Sequence, residues 1–330
     1  MTEPLLRIDQ LRVRFDTPEG VVHAVNDVSF QVGAGETLAI VGESGCGKSV
    51  TALSILRLLP SPPARLAGGS IRFQGQELTS LGEAALRRLR GDRIGMVFQE
   101  PMTSLNPVLT IGRQLTEGLR RHHGLSRRAA RERVLALLER VQIPDPSRRL
   151  DQYPHELSGG MRQRVMIAIA VACAPSLLIA DEPTTALDVT IQAQVLDLIG
   201  ELCEAMGTAV ILVTHDLGVV GDVADRVVVM YAGRVVEDAA VDDLFSRPLH
   251  PYTQGLFAAR PNLTPTVAGQ RARLTEIPGM VPSLRAGITG CAFAPRCQAA
   301  TAQCRAQAPL LRPFDSSGHA VACHHAGGGT

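Results

Sequence analysis

Apolar and polar positions alternate over the first forty residues, and longer apolar runs follow. The alternation predicts short strands over 11–15, 21–25 and 28–32, and Gly33 and Gly35 supply a turn before a further strand over 37–41. A glycine-rich loop comes next, then a helical stretch over 49–59 that Pro60, Pro62 and Pro63 should stop. Residues 83–90 read as helix and 94–98 as a strand. The pattern over 112–140 is helical and rich in Arg and Leu. Strand signals return at 177–180, a helix fits 191–206, and β-branched residues mark a strand over 209–213. Strands over 227–231 and 234–237 flank Ala232-Gly233, which suggests a hairpin.

Strands alternating with helices imply an α/β fold with a mixed, mainly parallel sheet, preceded by an antiparallel β region. The block between Gln99 and Pro175 has few strand signals, so a helical subdomain over about 100–172 is expected inside the sheet order. Beyond about Pro248 prolines become frequent and periodicity fades. The expected organisation is therefore a main domain over 1–250 and a smaller extension over 251–330. The longest nearly apolar run, 165–180, is too short to span a membrane and contains Pro175. It reads as the end of a buried helix followed by a buried strand.

Composition changes this picture little. Of 330 residues, 45% are hydrophobic and 20% charged, enough for a sizeable core. A formal net charge of +1 gives no broad positive field, which argues against nucleic acid as the partner. Met1-Thr2-Glu3-Pro4 begins no basic stretch with an apolar run behind it, so a cytoplasmic chain is expected, with any membrane role reached through partners.

The chemistry lies in short segments. Gly42-Glu43-Ser44-Gly45-Cys46-Gly47-Lys48-Ser49 fits the phosphate-binding pattern of Gly, four residues, Gly, Lys and Ser or Thr. It follows a predicted strand and opens a predicted helix. Glycines let the backbone turn its N–H groups toward phosphate oxygens, and the helix start adds partial positive charge. Lys48 can reach the β- and γ-phosphates, and the Ser49 hydroxyl can hold Mg2+. An ordinary Gly-rich turn is the plain alternative, and the strand and helix on either side argue against it.

Leu177-Leu178-Ile179-Ala180-Asp181-Glu182 is an apolar strand ending in two carboxylates, where ligands of α/β sheets bind. Asp181 is placed to hold Mg2+, and Glu182 to act on the attacking water as general base. His215 and Gln99 also follow predicted strands and suit contact with the γ-phosphate or its water. Leu157-Ser158-Gly159-Gly160-Met161-Arg162-Gln163 sets Ser158 and two glycine amides at a helix start, a second place to receive a phosphate.

In this order the segments resemble the ATPases of ABC transporters, over about residues 5–250. The last segment resembles their signature motif, with Leu157, Ser158, Gly159, Gly160 and Gln163 expected at the ATP of a partner subunit. Ala186-Leu187-Asp188 resembles the D-loop. Phe15 is similar to the aromatic residue that stacks on adenine. The resemblance implies that Phe15, Gly42, Ser44, Gly45, Cys46, Gly47, Lys48, Ser49, Val50, Gln99, Asp181 and His215 bind ATP. It also implies that Ser49, Gln99 and Asp181 hold Mg2+, and that Glu182, His215 and Gln99 serve catalysis. The family implies a P-loop NTPase fold and a head-to-tail pair of ATPase subunits sandwiching two ATP molecules.

Within the family, Phe98-Gln99-Glu100-Pro101-Met102-Thr103-Ser104-Leu105-Asn106-Pro107 and His250-Pro251-Tyr252-Thr253-Gln254 resemble peptide and nickel importers. That implies two transmembrane permease subunits, an extracytoplasmic substrate-binding protein, and a peripheral position on the cytoplasmic face of the cell membrane. Di- and oligopeptides lead as substrate, with nickel, glutathione or another small solute behind. ABC ATPases acting on DNA or ribosomes fit less well, because neither a long coiled coil nor a second ATPase half is present. A metal or redox sensor gains no support from the loop after Gln99.

Seven cysteines remain to be placed. Cys46, Cys173 and Cys203 are scattered, whereas Cys291, Cys297, Cys304 and Cys323 crowd the tail at gaps of five, six and eighteen residues. Clustered cytosolic thiols suggest metal more than disulfides. The segment from Cys291 to Cys297 resembles the C-terminal extension of oligopeptide and dipeptide ATPases, some of which hold a 4Fe-4S cluster. Zn2+ is the alternative, though its cysteine pairs usually stand two to four residues apart. His324 and His325 offer further ligands.

Overall fold

The computed structural model describes residues 3–184, 189–259, 277–285, 287–316 and 318–327. The chain forms two units, each built from separated stretches. The first holds Met1–Leu5, Val32–Thr37 and Phe73–Val213, and the second Leu6–Gln31, Leu38–Arg72 and Thr214–Thr330.

In the first unit, strands Ile94–Val97, Leu177–Asp181 and Ala209–Thr214 lie side by side in parallel, with Leu177 opposite both Ile94 and Ala209. All their positions are buried, which explains why they read as apolar runs and not as alternations. Between the first two, every regular element is helical: Pro101–Ser104, Ile111–His122, Arg127–Arg140, Pro146–Arg149, a short 3-10 turn and Gly159–Val171. The expected helix over 112–140 is two helices. Gly124 takes φ +65°, and Ser126 then caps a new start by accepting the Ala129 N–H at 3.2 Å. Ile111, Leu115 and Leu119 form the buried stripe of one helix, and Ala130, Val134 and Leu138 that of the other.

In the second unit, Leu6–Thr17 lies between Gly20–Val32 and Ala64–Phe73. The two strands expected over 21–25 and 28–32 are one, interrupted only where Asp27 takes φ +55° and binds Arg12 Nε at 2.5 Å. Strand Ala64–Phe73 escaped the pattern because its run through Gly68 and Gly69 is exposed on both sides. The expected helix over 49–59 ends at Ile55, before the prolines, and Arg57 turns with φ +49°.

Strand Thr37–Val41 runs parallel to Arg226–Tyr231, which pairs antiparallel with Arg234–Ala240. Ala232 and Gly233 both take positive φ, as a tight hairpin turn requires. The tail adds regular structure where none was predicted. Ala320–Val321 pairs with Arg234–Ala240, and Arg312–Pro313 pairs with Ala320–Val321. Helix Pro251–Ala258, residues 277–285 and residues 287–297 pack into the same core as Val41, Val229 and Tyr231. Tyr231, Tyr252 and Phe293 form an aromatic cluster with centroids 4.6–5.5 Å apart, each pair contributing about 1 kcal/mol beyond its buried area.

Candidate functional site

The second unit carries the phosphate-type loop. Strand Thr37–Val41 ends into Gly42, and helix Lys48–Ile55 starts immediately after Gly47. Gly42 takes φ +151°, and a Cβ there would lie 2.3 Å from the Met230 carbonyl oxygen. Gly47 takes φ +101°, and its Cβ would lie 2.5 Å from the Ala24 oxygen. No side chain fits at either position, so the loop needs both glycines for its own folding. Gly47 leaves the helix start without a side-chain cap.

Lys48 is 4% exposed, and its ammonium donates to the Gly42 oxygen at 2.7 Å and the Glu43 oxygen at 3.1 Å. Cys46 is fully buried, its carbonyl accepts the Gly233 N–H at 2.9 Å, and burial raises its thiol pKa against the pull of Lys48. Ser44 and Gly45 are exposed, and Ser49 and Val50 half-buried. Phe15 lies half-buried near the end of Leu6–Thr17. His215 is exposed just after the strand Ala209–Thr214, at a turn where Thr214 Oγ1 accepts the Asp216 N–H at 3.0 Å.

The first unit gathers the other predicted residues. Asp181 is 5% exposed at the carboxyl end of its strand. Glu182 follows with φ +45°, a left-handed conformation that costs a non-glycine residue about 1–3 kcal/mol. Its N–H donates to the Val213 oxygen at 2.9 Å, which holds it there. Gln99 Nε2 donates to Glu182 Oε2 at 2.9 Å, which brings together two candidate residues 83 positions apart. The glycine pair after Ser158 begins helix Gly159–Val171, and Ser158 Oγ accepts the Met161 N–H at 3.3 Å. A Cβ on Gly159 or Gly160 would meet nothing within 4 Å. The buried Gln163 donates from Nε2 to the Pro183 oxygen, which ties this helix to the loop after the acidic pair. Leu157 is buried, and Asp188 lies outside the described residues.

Cys291, Cys297, Cys304 and Cys323 line one small cavity of about 20 Å³, with His324 and His325 at its wall. Burial raises the thiol pKa of Cys291 and Cys323, and the neighbouring thiols add to it. No three of the four sulfurs lie within 4.8 Å of one another. Among the described residues the group that does is Asp92, His123 and Cys173. His324 Nε2 contacts the Gln307 oxygen at 2.9 Å, and His325 Nε2 contacts Thr301 Oγ1 at 3.0 Å.

Sequence reasoning missed a set of residues around Glu43. Arg296 binds both Glu43 carboxylate oxygens, at 2.6 and 2.9 Å, and Tyr252 Oη accepts the Glu43 N–H at 2.7 Å. Nearby, Glu237 is fully buried and accepts the N–H groups of Leu249 and His250, with His319 Nε2 at 2.8 Å. The one available signal was an acidic residue inside a phosphate-type loop.

The family model described as ABC transporter matches residues 25–185, and the one described as oligopeptide/dipeptide transporter, C-terminal region, matches 236–304. The chain is 56% identical, over 97% of its length and 94% of the relative's, to a probable peptide ABC transporter ATP-binding protein of Sinorhizobium fredii. It is 54% identical, over 94% of its length and 92% of the relative's, to a Brucella abortus protein named for peptide import and ATP binding. Among solved structures it is similar to a dimeric ATP-binding cassette in a post-hydrolysis state bound to ADP and Pi. That match has a TM-score of 0.64 and 28% identity, and covers 72% of this chain and 98% of the other.

Proposed function

The chain belongs to the ATP-binding proteins of ABC transporters, in the group marked by an oligopeptide/dipeptide C-terminal region, and from that premise we propose how its residues power peptide import. It is an ATPase that works as one of two paired cassettes joined to permease subunits. Among the described residues no helix is long and apolar enough to cross a membrane.

In the second unit, Lys48 takes the β- and γ-phosphates, Ser49 a place at Mg2+, and the amides of 42–50 the remaining phosphate oxygens. Phe15 stacks on adenine, and His215 contacts the γ-phosphate. In the first unit, Asp181 holds Mg2+, Gln99 senses metal and water, and Glu182 removes a proton from the water that attacks the γ-phosphorus. The observation that carries this reading is the Gln99–Glu182 bond of 2.9 Å at the end of a buried strand. It sets the Glu182 carboxylate and the Gln99 amide side by side, so one attacking water would meet both the group that takes its proton and the group that orients it. Ser158, Gly159 and Gly160 serve the ATP of the second ATPase subunit, the buried Gln163 ties their helix to the loop after the acidic pair, and Asp188 serves the contact between the subunits. ATP then closes the pair, and loss of the γ-phosphate releases it.

The chain would sit on the cytoplasmic face of the membrane, held by two permease subunits and supplied by an extracytoplasmic substrate-binding protein. Residues 1–250 act as the ATPase domain, with 100–172 as the helical part that meets the permeases, and 251–330 as the extension. Vesicles reconstituted with the neighbouring subunits test this reading. ATP-dependent uptake of di- or oligopeptides is expected. Uptake of nickel or glutathione alone would change the substrate, and no association with membrane subunits would end the transport reading.

The four tail thiols would hold a 4Fe-4S cluster, with Zn2+ as the alternative. Four thiolates around one zinc stand about 3.8 Å apart, given bonds of about 2.3 Å. What supports a shared metal group is that all four thiols line one small cavity, and the wide gaps between them in the sequence favour iron–sulfur over zinc. Iron and zinc analysis of anaerobically purified protein tests it, and finding neither would end it.

A further inference from the structure

Glu43 is the second residue of the phosphate-type loop, and a carboxylate there is out of place. A nucleotide triphosphate brings several negative charges, and a carboxylate beside it opposes binding. In this chain the charge is met by Arg296, 253 positions away. The Arg296 guanidinium is almost fully buried, with 4% of its side chain exposed. Its five N–H donors face five acceptors. Two are the Glu43 oxygens at 2.6 and 2.9 Å, and the others are Tyr231 Oη at 3.3 Å, the Pro278 oxygen at 2.8 Å and the Ile277 oxygen at 3.1 Å. A planar fork with every donor matched is held in one geometry, and a lysine offers no equivalent.

The rest of Glu43 is fixed as well. Its N–H donates to Tyr252 Oη, and its carbonyl accepts from Lys48 Nζ at 3.1 Å and from the Cys46 N–H at 3.3 Å. The peptide that receives the Lys48 ammonium is therefore clamped, through its side chain and its N–H, by two residues of the C-terminal region. Phe293 packs against both Tyr231 and Tyr252, so guanidinium and phenols are set by one aromatic cluster.

We propose that Arg296 is a positioning residue for the ATP site: it neutralises Glu43 and fixes the peptide that holds Lys48, so nucleotide affinity depends on the C-terminal region. This rests on reading 42–49 as the phosphate cradle.

The test is the Kd of the full chain for a fluorescent, non-hydrolysable ATP analogue with Mg2+, at low and high salt. Arg296→Met is expected to weaken binding roughly tenfold at low salt, within the usual range of coupling between sites. The loss should shrink at high salt, because an uncompensated, partly exposed carboxylate is screened. Adding Glu43→Gln to Arg296→Met should recover most of the affinity, which a merely structural defect in the tail would not do. If Arg296→Met does not fold, Arg296→Lys is measured instead, and it should bind about threefold more weakly than the natural chain. An unchanged Kd in the folded variant, or a loss that neither salt nor Glu43→Gln relieves, overturns the proposal. Lys48→Ala keeps the two readings apart. If it binds the analogue normally, the cradle assignment fails; if it loses binding while the Arg296 variants do not, only the present proposal fails.

Discussion

Two glycine-bearing helix starts in this chain resemble each other in sequence and differ in what demands their glycines. At the start of Lys48–Ile55, Gly42 and Gly47 are required by the chain itself, because any Cβ would strike a backbone oxygen at 2.3 or 2.5 Å. At the start of Gly159–Val171, a Cβ added to Gly159 or Gly160 would meet nothing within 4 Å. Among the described residues no contact demands them. Glycines kept small next to open space are what a surface needs when a phosphate and another subunit must approach it closely. The glycines of the first loop are demanded by contacts of its own chain, and those of the second are not, among the described residues.

The largest effect should come from removing the chemistry while both loops stay intact. Glu182→Gln should lower kcat about a thousandfold while leaving the analogue Kd within twofold, since a general base contributes about 10²–10⁴. Full turnover by this variant would reassign the base. Gly47→Ala comes next. It should cost about 3 kcal/mol of stability, read by denaturant melts, because strain at φ +101° and the clash with Ala24 add together. Gly159→Ala should then leave the melt of the single subunit unchanged and lower hydrolysis by the paired assembly about tenfold. Equal loss of stability in the two glycine variants would dissolve the distinction.

The smallest effect concerns the support behind the first loop. His250 caps helix Pro251–Ala258 by accepting the Tyr252 N–H at 3.0 Å, and burial pushes its pKa down to about 3. Its folded pKa lies below the unfolded value of about 6.5, so the unfolded chain takes up the proton first as pH falls. The natural chain should thus be about 1 kcal/mol less stable at pH 5.5 than at pH 7.5 from this group alone. His250→Asn keeps a capping oxygen and should flatten that slope in thermal melts. A slope that does not change would mean other groups set the acid limit.

The sequence made the site legible where function dictates backbone shape. The loop 42–49, the strand ending in Asp181 and the helix start at Ser158 were each readable, because glycines, apolar runs and caps are local requirements. Their partners were legible only in part: Gln99 and Glu182 were each placed at a strand end, but the bond between them appears only in the structure. The fold blurred where local signals were weak. Gly124 split a helix whose Arg and Leu pattern ran on either side of it, and Ala64–Phe73 showed no alternation to find. The tail strands are two residues each, too short to leave a period. The grip of Arg296 on Glu43 joins positions 253 residues apart, and no window along the chain contains both.

Arg296 and Cys297 are consecutive, so their Cα atoms stand about 3.8 Å apart. One side chain reaches into the loop that bears Lys48, and the next faces the thiol-lined cavity. A rigid peptide link of that length leaves little slack. The cysteine-rich extension and the loop that would grip the fuel thus share a single short covalent tether.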